Sequence, residues 1–377
     1  MDNNSVSSEN QIEGYESDSK SFLGWGGEYP LDSVFIRSET RTVKEVLSRI
    51  KKGRYELNPE FERDFLWGIE RQSRLIESCL MRIPLPVFYV AEAKDGKIIV
   101  VDGLQRLATF KRYLNNEFRL EGLGKTEESR EDPQYSLNGK YFNELPLQLQ
   151  ERLEDTQLTL YILDHKAPEK AKFDIFERVN SGVPLNRQQM RNCLYSGKAT
   201  KWLRDAAASK NFLKATNYAW DSKKMRDREA INRFCAFKLN GWEQYKGDME
   251  DFLSQTLERM NQLDQDQLDE LRNAFDQSMK INHLLFGIHA FRKSLRENKF
   301  SARRTPINIS LFDVCSVLFS DIEKSRVESN KKILREHFRY LMLEDDFEQS
   351  ITSATHSIKQ VKTRFELAEA TIREALS

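Results

Sequence analysis

Lys97–Leu114 reads K-I-I-V-V-D-G-L-Q-R-L-A-T-F-K-R-Y-L. Lys97 to Val101 is a short apolar run with the pattern of a buried strand. Asp102-Gly103 breaks it, and Gly103 permits a tight turn without a Cβ clash. Leu104 to Asn115 then carries apolar residues at helical spacing. A strand that delivers a carboxylate to its C-terminal end and turns at once into a helix sets that carboxylate beside free N–H groups, a ready anion site. Arg106 falls in the first helical turn, where its planar fork could pair with a phosphate. Asp102 could hold a divalent cation or orient a water, since hard cations take carboxylate oxygens beside substrate phosphates. An ordinary strand–turn–helix with a solvated arginine has the same pattern, and on this segment alone both readings stand.

Upstream, Thr42 precedes V-K-E-V-L-S-R-I and reads as the cap of a helix that Gly53 ends. Tyr55 to Leu57 is a short extended piece leading to Pro59. Glu70 to Met81 is helical, with Leu75, Ile76, Cys79 and Leu80 on one stripe. Pro84 and Pro86 flank a turn into a strand over Val87 to Glu92, and Lys94-Asp95-Gly96 is a second turn. Downstream, residues 121–140 lack periodicity and read as a loop or insertion. A strand follows over Leu158 to Leu163, then a helix over Pro168 to Val179, a loop over Asn180 to Leu185, and a helix over Asn186 to Tyr195. Beyond about residue 200 the strand signal fades. Helical periodicity marks segments near 228–240, 248–263, 267–286, 307–321, 327–343 and 355–375. The pattern predicts an α+β protein: a mixed α/β N-terminal domain over 31–200 and an all-helical domain over 201–377. Residues 1–30 read as an acidic tail, because the Ser/Asn/Glu-rich start cannot bury enough surface to offset its ordering entropy.

Lysine plus arginine equals aspartate plus glutamate, 59 against 59, so no global basic excess announces a nucleic-acid binder. A hydrophobic content of 39% is enough to build cores for two domains of this length. Cys79, Cys193, Cys235 and Cys315 lie far apart in apolar helical patterns, so buried free thiols are expected rather than disulfides or a zinc site. That usage fits a reducing cytoplasm. No apolar run has the length of a membrane span, and the polar start lacks a signal-peptide core.

Several short stretches occur together: N-P-E-F-E-R-D-F-L-W (Asn58–Trp67), I-P-L-P-V-F-Y-V, V-D-G-L-Q-R-L-A-T-F, F-E-R-V-N-S-G-V-P-L-N-R-Q-Q-M-R-N-C-L-Y-S-G (Phe176–Gly197) and M-R-D-R-E-A-I-N-R-F-C-A-F (Met225–Phe237). This series resembles the DUF262 family, the ParB-like domain of GmrSD-type restriction systems and related phage-defence proteins, over roughly residues 35 to 265. The resemblance implies a ParB/sulfiredoxin-like fold whose DGQQR motif belongs to a nucleotide-binding and hydrolysing site. Asp102, Gly103, Gln105 and Arg106 match that motif, and Leu104 replaces its first Gln. Of the family's P-x-F-Q-R, Pro59, Phe61 and Arg63 match, and Glu62 replaces the Gln. Asn180 and Gly182 match an F-x-x-x-N-x-G pattern. The implied roles are Asp102 on a metal or water, Arg63 and Arg106 on phosphates, and Gln105 and Asn180 positioning the nucleotide. The implied ligands are a nucleoside triphosphate and Mg²⁺. Because Leu104 and Glu62 remove two amides from the pattern, binding is expected before turnover.

Many relatives of this family join the domain to an HNH-type nuclease. Here His283, His289, His337 and His356 are widely separated on helix-patterned segments, and His165 ends a strand. A nuclease centre is not expected of them, so a separate effector chain or a homo-oligomer is the expected partner. Basic clusters at Lys198/Lys201/Arg204, Lys223/Lys224/Arg226/Arg228 and Arg303/Arg304 are either solvated helix faces or a surface for DNA. The rival expectation is a non-enzymatic adaptor for DNA or protein with a degenerate nucleotide pocket.

Overall fold

The apolar run Ile98–Val101 takes a central place because it has no polar side chain to turn outward. In the computed structural model it is β5 (Ile98–Asp102), flanked by β4 (Phe88–Glu92) and the short β3 (Tyr55–Glu56). The structure describes residues 12–13, 35–57, 67–93, 95–123, 136–179, 186–220, 222–297 and 304–377. It divides into two compact units, Trp25–Leu194 and Tyr195–Ser377, the second including β1 (Ile12–Glu13). The architecture is α+β, as expected.

In the first unit the sheet order is β2–β6–β4–β5–β3, with β2 at Ile36–Thr42 and β6 at Gln157–Leu163. β2 runs antiparallel to β6 and β4 antiparallel to β5, whereas β4–β6 and β3–β5 are parallel. Side chains alternate across the sheet. Ala91, Val101 and Leu163 meet Phe173, Phe176 and Met190, which come from α5 (Glu169–Val179) and α6 (Arg187–Leu194). Also in this unit are α1 (Val43–Lys51), α2 (Ile69–Leu80), α3 (Leu104–Leu114) and α4 (Leu147–Glu154), with α1 against α3, α4 and β3 and α2 against α3 and α4. The Thr42 side chain accepts from Glu45 N at 3.1 Å, which is the cap predicted for α1. Two elements escaped the periodicity. β2, I-R-S-E-T-R-T, is a charged edge strand defined by its partner β6, and α4 begins after Pro146 in a stretch with no clear apolar stripe.

The second unit is helical. Its elements are α7 (Lys198–Ala207), α8 (Lys210–Ala215), α9 (Arg226–Asn240), α10 (Met249–Gln262), α11 (Gln265–Phe286) and α12 (Ile309–Leu318), followed by α13 (Lys324–Ser329), α14 (Lys331–Leu341), α15 (Asp345–Thr352) and α16 (Ile358–Leu376). The stretch read as one helix over 327–343 is two, meeting at Asn330. Within the stretch read as tail, Ile12–Glu13 pairs in parallel with β7 (Ile307–Asn308), and Glu13 bonds Lys293 at 2.8 Å. All four cysteines are buried and free. Among the described residues, no helix is long and apolar enough to cross a membrane.

α12, I-S-L-F-D-V-C-S-V-L, is buried on nearly all sides. Its one carboxylate, Asp313, accepts from Arg233 Nε at 2.8 Å and Nη2 at 2.5 Å, and from Arg364 Nη2 at 3.2 Å. All three side chains are buried, and burial lowers the Arg364 pKa to about 10. Removing one partner from such a group costs more than its formation contributes, because the remaining charge has no solvent. Asp313→Ala should therefore lose about 3–5 kcal/mol of stability, read as a fall in the urea midpoint. A loss below about 1 kcal/mol would mean that the two guanidiniums are solvated after all.

Candidate functional site

Gly103 is the N-cap of α3 and has a left-handed backbone, φ 97°. A Cβ at this position would overlap the Phe88 ring, so both dihedral and space require glycine. The turn leaves the first-turn N–H groups of α3 without intrahelical partners, and the first i→i−4 bond is Leu107 N to Gly103 O at 2.9 Å. Asp102 stands at the end of β5, immediately before this turn, and is partly exposed.

Arg106 sits in that turn but its guanidinium points into the protein. Nη1 donates to Pro86 O, and Nη2 donates to Val87 O at 3.0 Å and to Asp102 Oδ2 at 2.9 Å. The guanidinium carbon lies 4.0 Å from the centroid of the Phe88 ring. With a side chain only 9% exposed, the arginine clamps the entry to β4 against the β5–α3 turn. These bonds use three of its five N–H donors, and with the side chain this buried the phosphate contact expected of Arg106 would require the guanidinium to turn outward. Burial raises the pKa of the Asp102 carboxyl, and the Arg106 charge and the Gly103 N–H oppose that rise. Burial likewise lowers the pKa of Arg106, with Asp102 opposing it. The pair is a partly desolvated ion pair with one partner reaching solvent.

Gln105 Oε1 accepts from Trp67 N at 3.0 Å. Trp67 O in turn accepts from Gln72 Nε2 at 2.5 Å, and Gln72 Oε1 accepts from Arg112 Nη1 at 2.9 Å. Gln105 therefore belongs to a polar chain that fixes both backbone groups of Trp67 beside the N-terminus of α2. The Arg71 guanidinium covers the Trp67 ring at 4.2 Å. Sequence reasoning missed Gln72, which is buried and twenty-five or more residues from the turn it helps to fix. A glutamine at an otherwise apolar, buried helix position is the signal that could have singled it out. Arg63 and Asn180, with Pro59, Phe61, Glu62 and Gly182, lie outside the described residues.

Glu92, Asp164 and His165 offer ligand atoms within 4.8 Å of one another. Glu92 is already bonded to Arg37 at 2.8 Å, and Asp164 accepts from Lys166 N at 2.8 Å and lies 3.2 Å from His165. The group is an ion-pair cluster with its own cation. Among the described residues Asp102 belongs to no such group of three, so an ion there would need nucleotide phosphates or water to complete its shell. The remaining histidines fall in separate settings: His289 bonds Ser294 at 2.9 Å, and His356 lies 3.4 Å from Arg233.

Comparison with known families places residues 43–196 on the model described as the GmrSD restriction endonuclease, N-terminal domain. No curated protein matches the chain.

Gly103→Ala should destabilise the first unit by about 2–4 kcal/mol, combining a left-handed backbone with overpacking against Phe88. Thermal unfolding measures it, and a midpoint equal to that of the parent would contradict this account of the turn.

Proposed function

We propose, on the premise that residues 43–196 are a GmrSD-type N-terminal domain, that the β5–α3 turn binds a nucleoside triphosphate with Mg²⁺. A domain of this family fits a module of a phage-restriction system. In this reading the protein is cytoplasmic and works with a separate effector chain. The observation that carries it is a partly exposed carboxylate, Asp102, held just before the N-terminus of α3, which has no side-chain cap, by a turn that only glycine can make.

Asp102 takes the metal or orients a water. The first-turn N–H groups of α3 receive phosphate oxygens, and Gln105 holds the site's wall at Trp67 while its amide NH₂ remains for the nucleotide. Arg106 keeps the Asp102 carboxylate in place, and its phosphate contact is part of the proposal only with a rearrangement of its carbonyl bonds. Arg63 and Asn180 are the further phosphate and nucleotide contacts of this reading. Hydrolysis would act as a switch on the effector.

A second reading is favoured by one observation: Arg106 already has protein partners for its fork. With Leu104 in place of an amide, the pocket would then be degenerate and the protein an adaptor for DNA or another protein. Phosphate release separates the two.

Calorimetric titration with GTP, CTP, ATP and the deoxynucleotides, each with Mg²⁺, tests the first reading. At least one should bind, and Asp102→Asn, which preserves shape and an acceptor for Arg106, should weaken metal-dependent binding by about 10- to 100-fold. Only the ionised carboxylate holds the cation. Since burial raises its pKa, binding should fall on acidification at a pH above that of an ordinary aspartate, and the asparagine variant should lose this dependence. Absence of binding to every nucleotide, or equal binding by the variant, would sink the reading.

A further inference from the structure

α14, K-K-I-L-R-E-H-F-R-Y-L, is held from one side only. Leu334, Phe338 and Leu341 are buried, the Phe338 ring lies 5.4 Å from Phe286 and 5.3 Å from Phe319, and Arg335 donates to the Leu285 carbonyl. At about 100° per residue the opposite side carries Lys332, Ile333, Glu336 and Tyr340. The chain keeps turning past the helix end, with Leu343 N on Tyr340 O at 2.8 Å and Glu344 N on Leu341 O at 3.2 Å, so Leu343 continues that side. Ile333, Tyr340 and Leu343 are 47%, 59% and 56% exposed. Single exposed apolar residues are ordinary. Three at steps of seven and three residues form one stripe about 15 Å long on a helix whose other side is already packed.

The stripe lies between charges of opposite sign. Lys331 and Lys332 open the helix, whose first turn holds no acid, and Glu344, Asp345 and Asp346 follow its end. Cations at a helix N-terminus oppose its dipole. α1, α9 and α10 have the reverse order, with acids in the first turn and a base in the last. The acids beyond α14 suit the N-terminus of α15. The two lysines have no such reason within their own helix.

We propose that this face of α14 is the contact between two antiparallel copies of the chain, related by a two-fold axis at the level of Phe338. A two-fold contact needs a surface that complements itself. Residues equally far from position 338 then face one another: Lys332 meets Glu344, Lys331 meets Asp345 and Ile333 meets Leu343, each pair occurring twice. Tyr340 of one copy comes opposite Glu336 of the other, where its hydroxyl can donate to that carboxylate. The apolar stripe is thereby covered, and the N-terminal end of each α14 receives the acids it lacks. A parallel pair would set lysines against lysines and acids against acids. With eleven residues of helix from each copy, the contact is at the small end of specific interfaces, so association should be weak and concentration-dependent. The surface lies outside the family-matched residues 43–196 and does not depend on the nucleotide reading of the Asp102 turn.

Sedimentation velocity of the full chain from about 1 to about 100 µM, at about 100 mM salt, tests the proposal. The weight-average mass should rise with concentration from one chain towards two. Ile333→Ser with Leu343→Ser should weaken association about tenfold or more. Met81→Ser with Leu147→Ser, a comparable loss of exposed apolar side chains in the first unit, should associate like the parent. Two charge variants, Lys331→Glu with Lys332→Glu and Glu344→Lys with Asp345→Lys, should each be monomeric alone and associate when mixed, because mixing restores opposite charges at both ends. Far-ultraviolet circular dichroism checks that each keeps its helices. If the charge variants lose them, the comparison of the two apolar pairs decides alone. A parent that stays monomeric throughout, an Ile333/Leu343 pair that associates like the parent, or folded charge variants that fail to associate on mixing would overturn the proposal. Nucleotide titration fails or succeeds independently of these outcomes.

Discussion

The guanidinium of Arg106 joins three parts of the chain that the sequence separates by up to twenty residues. It accepts no compromise in geometry, because a planar fork must meet the carbonyls of Pro86 and Val87 and the Asp102 carboxylate together, above the Phe88 ring. The entry to β4, the end of β5 and the start of α3 are thereby held in one place. Gly103 makes this possible, since any side chain there would displace the Phe88 ring on which the guanidinium rests. The candidate site is thus built on a desolvated ion pair whose acid partner still reaches water. A carboxylate of that kind is rigid without being sealed, which is what a ligand for a cation or a water requires.

A second polar chain, from Gln105 through Trp67 and Gln72 to Arg112, ties α3 to the N-terminus of α2. The backbone N–H and C=O of Trp67 would otherwise lack partners near the core, and side-chain amides supply both. The helical unit uses charge in two opposite ways. Inside, Asp313 gathers Arg233 and Arg364, so that a helix apolar on almost every side is oriented by its single carboxylate. Outside, on α7, Arg204 meets Asp205 at 3.2 Å on a face exposed to water.

Local chemistry made much of this legible. The Thr42 cap, the Asp102-Gly103 break and the apolar run of β5 are all short-range signals, and the long helices α9, α10, α11 and α16 were readable within a few residues of their ends, whereas α7, α8 and α15 were not read. β2 was not, because I-R-S-E-T-R-T has no hydrophobic alternation and is a strand only by virtue of the seven-residue register with β6. The pairing of Ile12 with Ile307 depends likewise on a neighbour distant in the chain.

At the turn itself, the sequence by itself determined the residue types: a carboxylate after a buried strand, a glycine that allows the left-handed backbone, and an arginine three positions into the helix. It could not determine where that arginine points. A guanidinium in a first helical turn can reach outward to an anion or inward to carbonyls, and the local spacing is the same in both cases. The tertiary structure decided it, because Pro86 and Val87, some twenty residues upstream, bring two carbonyls and an aromatic ring to the one place where the fork is satisfied away from water.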